Sequence, residues 1–198
     1  MKLRHLTILA ASGAVGLVAC GSSDSASQSA STVPSAASTP AASELQTADI
    51  DFAQSMIQHH QQAVEMADIA LDPAVGASTQ VVDLATRIKG AQEPEMEMMT
   101  GWLTSWGQPM EMDSSMGGGM PMTDGMMTDD EMSSLRTGKG AEFDTMWAEM
   151  MIRHHQGAIA MAQTVKTSGS NTDVMAMADQ VITAQQGEIA EMETMLGN

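Results

Sequence analysis

Two pairs of adjacent histidines, His59-His60 and His154-His155, account for every histidine of the chain except His5. Each pair has a methionine one helical turn before its second member and another methionine six or seven residues further on. Imidazole nitrogen and thioether sulfur form the ligand set that soft cations prefer. The pattern therefore favours a soft-metal site, and its candidate ligands are His59, His60, Met56, Met66, His154, His155, Met151 and Met161.

Polar side chains interrupt the apolar face of the segment that follows each histidine pair. Gln92 and Glu95 fall within an apolar stripe of helical period, and Gln185 and Glu188 repeat the arrangement. A carboxylate that faces a protein core is costly unless it is paired, hydrogen-bonded or bound to a metal. Two interpretations stay open. In the first, the glutamates pair with the histidines in a purely structural polar layer. In the second, they orient the imidazoles of a metal site without binding the metal themselves. We favour the second, because both histidine pairs carry methionines.

Adjacent residues of a helix point about 100° apart, so both histidines of one pair do not easily serve the same small site. His60 and His155 share the apolar face of their segments, and we expect them to point inward. His59 and His154 lie nearer the edge of that face. We expect these two to face a neighbouring helix or solvent.

A second group of methionines lies in a glycine-rich, acidic stretch at residues 107–132. Such a stretch is a poor core-former, and its closely spaced thioethers suit Cu(I) and Ag(I). Three other interpretations remain: an adaptable binding patch, a reversible sink for oxidants, or, at the Thr128-x-x-Glu131 capping box, a short helix whose Met132 packs on the bundle. The candidate loop ligands are Met110, Met112, Met116, Met120, Met122, Met126 and Met127.

The elements that must position these residues are helices. Residues 56–67 recur as residues 151–162, and a second segment of each copy also recurs, so the domain is a duplication. Apolar residues follow a 3.6-residue period in all four segments, and no alternating strand pattern occurs. The sequence predicts an all-α, ferritin-like four-helix bundle. It comprises two duplicated helical hairpins, 44–106 and 140–198, joined by a long Met- and Gly-rich crossover, 107–139.

The first 43 residues are predicted to be an export signal followed by a tether. Residues 1–19 have a positive start and a short apolar core, which is typical of a signal peptide, and Leu-Val-Ala-Cys at its end resembles a bacterial lipobox. We therefore expect Cys20 to carry a lipid; the alternative is an ordinary secreted protein with a chance cysteine. Residues 20–43 are rich in Ser and Ala and predict a disordered tether. The folded domain, 44–198, is expected outside the cytoplasm, anchored to the cell membrane on its periplasmic or cell-surface face.

Composition excludes several other classes of protein. A single cysteine among 198 residues rules out a disulfide framework, multi-cysteine zinc sites and iron–sulfur clusters. The formal charge of −17 argues against a nucleic-acid partner, because the phosphate backbone is also negative. A chain with 22 methionines and only 3% aromatic residues still requires a separate explanation for its sulfur.

The two histidine phrases resemble the bacterial family called domain of unknown function 305. The first is Met-Ile-Gln-His-His-Gln-Gln-Ala-Val-Glu-Met-Ala from Met56; the second is Met-Ile-Arg-His-His-Gln-Gly-Ala-Ile-Ala-Met-Ala from Met151, preceded by Phe143-Asp144-Thr145-Met146-Trp147. The resemblance covers about residues 44–198 and implies a ferritin-like four-helix bundle. For a periplasmic, copper-binding subset of the family it implies Cu(I) and Ag(I) binding through Met and His, and a part in copper resistance. The resemblance implies that the metal ligands are the eight His and Met residues given at the start of this subsection.

These observations predict a lipid-anchored binding protein for Cu(I), with Ag(I) as a second ion, which sequesters the metal or passes it to an unidentified exchange partner. Two alternatives belong to other functional classes. One is a structural or interaction module with a buried His/Glu layer. The other is a ferritin-like di-metal oxidoreductase, which requires Glu-x-x-His motifs. No such motif occurs in the chain, so we expect a binding protein and not an enzyme.

Overall fold

The computed structural model describes residues 47–111 and 125–197, and these residues form five helices and no strand. The helices are α1 (Thr47–Leu71), α2 (Thr79–Trp106), α3 (Asp129–Thr137), α4 (Gly140–Ser168) and α5 (Thr172–Met195). The all-α prediction is confirmed. None of these five helices is both long enough and apolar enough to span a bilayer.

The four long helices form two hairpins. Short links join α1 to α2 and α4 to α5, and the two helices of each hairpin pack along each other, while α1 and α4 form the main contact between the hairpins. The longer connection from α2 to α4 contains α3, which begins at the predicted capping box: the Thr128 hydroxyl accepts the Glu131 N–H, and the Glu131 carboxylate accepts the Thr128 N–H. Met132 is buried against the bundle, as that interpretation predicted.

A buried aspartate, Asp49, and a half-buried one, Asp144, join the two hairpins in a pseudo-symmetric way. Asp49, at the start of α1, accepts the backbone N–H groups of Ser170 and Asn171 at 3.1–3.3 Å. Asp144, at the equivalent place in α4, accepts the N–H of Ser78 at 3.0 and 3.2 Å. Ser78 and Asn171 are the N-caps of α2 and α5. Each repeat therefore holds the entry to the second helix of the other repeat, which fixes the position of one hairpin along the other.

The apolar core consists of two clusters that occupy opposite ends of the bundle. Along α1, Phe52 and Met56 belong to one cluster, whereas Ala63 and Met66 belong to the other. The remaining long helices are divided in the same way, for instance at residues 151 and 158 of α4. Between the two clusters, all four helices carry polar residues, so the duplication places a layer of polar side chains across the middle of the core.

Candidate metal centre

The polar layer contains eight side chains, two from each long helix. The four histidines are buried, with exposed fractions of 2% or less, and the two glutamines are exposed by only 2% and 3%. The two glutamates lie at the rim, where their side chains are 21% and 16% exposed. The members of the layer are His59, His60, Gln92, Glu95, His154, His155, Gln185 and Glu188.

One histidine of each repeat forms a hydrogen-bonded pair with a glutamate. The Nε2 atom of His60 lies 2.8 Å from Oε2 of Glu95, and Nε2 of His155 lies 2.7 Å from Oε2 of Glu188. These contacts join the two helices of each hairpin, because the glutamates belong to α2 and α5. The pairing was expected under both interpretations of the layer, since a carboxylate can stabilise an imidazole with or without a metal on the other side of the ring.

The other two histidines meet at the interface between the hairpins. The rings of His59 and His154 have centroids 3.7 Å apart and planes inclined by 40°. His59 is 2% exposed and His154 is fully buried. Of the two environments expected for these rings, a neighbouring helix or solvent, the structure shows the first, because close packing of α1 on α4 excludes solvent from both rings.

Burial keeps His154 uncharged. Desolvation holds the pKa of His154 well below its ordinary value, and the neighbouring His59, His155 and His60 lower that pKa further. A weaker interaction with the backbone of His59 acts in the opposite direction. An uncharged imidazole has a lone pair on one nitrogen, so this ring is in the protonation state that a metal ligand requires.

Several polar atoms of the layer have no hydrogen-bond partner among the residues that the structure describes. They include Nδ1 of both glutamate-paired histidines, both amide atoms of Gln92 and Oε1 of Gln185. Buried polar groups are normally satisfied, and each one left unsatisfied costs about 1–3 kcal/mol. The layer thus offers nitrogen and oxygen donors that a bound ion or water would satisfy, and this donor set fits a metal ligand role.

The four candidate methionines of the helices lie on both sides of the layer. Met56 and Met161 are buried in one apolar cluster, and Met66 and Met151 are buried in the other. Met56 and Met151 each precede a layer histidine by one turn on the same helix face. Met66 and Met161 follow their nearest histidine by six residues, roughly 9 Å along the helix axis, and are less well placed to share an ion with it.

No group of three or more His, Cys, Asp or Glu side chains is arranged to hold a metal within residues 47–111 and 125–197. An ion in the layer therefore has to draw on thioether or amide groups, or on a rotated ring, in addition to the imidazoles.

The Met-rich crossover is fastened to α1 at two places. Gln54 donates to the carbonyl oxygen of Pro109 at 2.7 Å. Gln62 forms two hydrogen bonds with the backbone of Met127, at 2.7 and 2.9 Å. The two glutamines are eight residues apart, about 12 Å along the axis, and His59 and His60 lie between them. The chain on either side of residues 112–124 is therefore held beside the part of α1 that carries the histidines.

The candidate loop methionines fall into different environments. Met110 is exposed, Met126 is half-buried, and Met127 is buried in the core with its sulfur 2.8 Å from the guanidinium of Arg153. Met127 is thus a packing residue in this structure. Met112, Met116, Met120 and Met122 lie outside the described residues, as do the predicted signal peptide, the tether and Cys20.

Comparison with known proteins places this layer in a family. Residues 49–196 match the family model described as a domain of unknown function, DUF305. The chain belongs to this family. The match covers both repeats and every residue of the polar layer, as the resemblance predicted. A search of curated proteins found no significant match.

Solved structures of DUF305 proteins and of CopM share the fold. One, from Streptomyces coelicolor, is 33% identical and has a TM-score of 0.69; the match covers 76% of this chain and 91% of the Streptomyces chain. Its description names it a "putative secreted protein". A DUF305 fragment from Deinococcus radiodurans is 32% identical, covers 77% and 97%, and has a TM-score of 0.68. CopM in its Cu(I)-bound form is 28% identical, covers 76% and 96%, and has a TM-score of 0.62. CopM has also been solved with Cu(II) and with Ag.

No pattern in the sequence indicated the residues that fasten the crossover. Gln62 and Arg153 contact Met127, and Gly125 packs so closely on α4 that an added Cβ would lie 2.5 Å from the carbonyl oxygen of Arg153. The duplication gave no signal for Gln62, because Gly157 occupies its place in the second repeat. Asp49 and Asp144 occupy equivalent positions in the two repeats, and that equivalence is a usable sequence signal for their shared role.

Proposed function

We propose that this DUF305 protein is an extracytoplasmic, lipid-anchored binding protein for Cu(I) and Ag(I), with a role in copper sequestration, resistance or homeostasis. The observation that carries the proposal is the polar layer, in which the buried Nδ1 atoms of His60 and His155, without partners among the described residues, lie between apolar clusters that each contain candidate methionines. Similarity to CopM, a protein solved with Cu(I) and Ag, supports the choice of ions.

Each group of residues has a separate role in this proposal. The histidines supply nitrogen, Met56 and Met151 supply sulfur from one turn away, and Met66 and Met161 supply sulfur at the outer edges of the site. Glu95 and Glu188 support the imidazoles, and Gln92 and Gln185 complete the layer. The loop methionines other than Met127 gather the ion, assisted by the negative charge of the chain.

The proposed location rests on the amino-terminal sequence. Residues 1–19 export the chain, and the lipid on Cys20 attaches it to the membrane, with residues 20–43 as the tether. The description of the Streptomyces relative as secreted agrees with a place outside the cytoplasm. The protein either sequesters the bound metal or passes it to a protein partner that accepts Cu(I).

An anaerobic competition titration tests the proposal. Cu(I) is titrated into the protein against a chromogenic Cu(I) chelator, and we expect the protein to compete. Replacing His60 and His155 with Ala should remove the tightest site. Met56→Leu should weaken binding, whereas Met98→Leu, which removes an exposed thioether on α2, should weaken it far less. Affinity no higher than that of a methionine-poor control protein would refute the proposal.

A second candidate function is a structural or interaction module. It is favoured by the two His–Glu pairs, which satisfy one nitrogen of each inward ring without any metal. The two functions differ in their effect on stability, because an ion that binds only the native state must raise the melting temperature. An unchanged melting temperature at saturating Cu(I) and Ag(I) would favour the structural module.

A further inference from the structure

The two His–Glu pairs determine where each paired ring carries its proton. A carboxylate has no hydrogen to donate, so the contacts of 2.8 and 2.7 Å require an N–H on Nε2 of His60 and of His155. In the neutral ring, the lone pair then lies on Nδ1. The opposite tautomer would turn a lone pair toward the carboxylate and leave a buried Nδ1–H without an acceptor.

The Nδ1 atoms of these rings face a different environment from the Nε2 atoms. Both Nδ1 atoms are buried and have no hydrogen-bond partner among the described residues. The glutamates are partly exposed, whereas the histidines are not, so the carboxylates mark the solvent side of each ring. Nδ1 is bonded to Cγ and is the ring nitrogen nearer the backbone. The available lone pair of each ring therefore lies inside the bundle, close to its own helix.

We propose that Glu95 and Glu188 are positioning residues that fix His60 and His155 as Nε2–H tautomers, so that each ring binds its ion through Nδ1. The binding step rests on the proposed function, whereas the tautomer is a property of the metal-free protein. Met56 and Met151 share a helix face with these histidines one turn earlier, so Nδ1 and the thioether approach the ion from the same helix. The rim side of each ring stays occupied by its carboxylate.

The duplication supplies two instances of the same arrangement. The pairs lie in different hairpins, are separated by the α1–α4 interface, and agree within 0.1 Å in their nitrogen–oxygen distances. A substitution in one repeat therefore leaves the other repeat as an internal reference in the same sample.

Nitrogen NMR of the full chain without metal, at about pH 8 where an ordinary histidine is neutral, tests the first step. Long-range proton–nitrogen spectra should show Nε2–H for both His60 and His155. Glu95→Gln should preserve the His60 tautomer, because its amide oxygen can accept the same bond. Glu95→Leu should give His60 a mixture of tautomers and leave His155 unchanged. Glu97→Leu, an exposed glutamate on the same helix, is the matched control and should change neither ring.

Ag(I) added to the same samples tests the second step. The Nδ1 resonances should shift while Nε2 keeps its proton, and Glu95→Leu should weaken Ag(I) binding about 10–100-fold while Glu97→Leu does not. A shift at Nε2, or an unaltered His60 tautomer in Glu95→Leu, would overturn the proposal. If Ag(I) does not bind while both rings remain Nε2–H, the metal-binding function and the Nδ1 ligand role are wrong, but the tautomer assignment is right.

Discussion

Acid should destabilise the metal-free protein through His154, and the substitution His154→Leu should remove that effect. The ring is fully buried, and desolvation holds its pKa well below the ordinary value near 6.5. In the unfolded chain the same ring takes up a proton as the pH falls below about 6.5. The unfolded state then binds more protons than the native state, so the free energy of unfolding decreases as the pH is lowered.

The expected magnitude follows from one proton. A single group that stays neutral in the native state gives a limiting slope of about 1.4 kcal/mol per pH unit. Between about pH 6.5 and pH 5, above the ordinary range of the carboxylates, the loss approaches about 2 kcal/mol. For a domain of this size, that loss lowers the melting temperature by about 4–8 °C.

The assay is urea denaturation of the metal-free protein, with a chelator present, at several pH values in this window. His154→Leu should lower the slope of unfolding free energy against pH by up to the full contribution of one proton. Gln92→Leu is the control, because it changes another buried polar side chain of the layer that does not titrate. It should change stability at all pH values and leave the slope intact. Equal slopes in the wild type and His154→Leu would refute the reasoning, as would a wild type that gains stability in acid.

Other predictions follow from contacts that hold the hairpins and the crossover. Asp49→Ala should lower the free energy of unfolding by about 2 kcal/mol in urea, because buried charge-assisted hydrogen bonds are lost; no loss would show that the cross-repeat contact is dispensable. Gly125→Ala should lower the free energy of unfolding more than Gly76→Ala does in the same assay. Both glycines have a positive φ, 81° and 69°, but only at Gly125 would the added Cβ also clash with α4. Equal losses would contradict the close approach. Trp147→Phe should cost about 1–2 kcal/mol, because the indole N–H no longer bonds the Met66 carbonyl oxygen; an unchanged unfolding midpoint would exclude that bond.

Local rules were sufficient to predict the helices and the position of the polar layer. Apolar periodicity and helix-ending residues define α1, α2, α4 and α5, and α2 ends where Gly107 adopts a left-handed φ of 66°. Gln92 and Glu95 stood out because they interrupt an apolar stripe, and the structure brings both into the middle of the bundle. Duplication strengthened each of these predictions by providing a second copy.

The contacts between hairpins could not be predicted in the same way. Whether His59 and His154 meet depends on the rotation and the shift of α1 against α4, which no local pattern encodes. The same holds for Met127, whose burial depends on Gln62 and Arg153, residues distant from it in sequence. Sequence spacing grouped Met127 with the other candidate loop ligands, whereas tertiary packing makes it part of the core.

The central claim is that the polar layer, and not only the Met-rich crossover, binds soft metal. X-ray absorption spectroscopy of the Cu(I)-loaded protein tests it directly when the seven candidate loop methionines are replaced with Leu. Our account predicts that this variant still binds Cu(I) and that the ion has both imidazole nitrogen and thioether sulfur as ligands. Loss of all Cu(I) binding in this variant, or a bound ion without histidine ligands, would contradict the account.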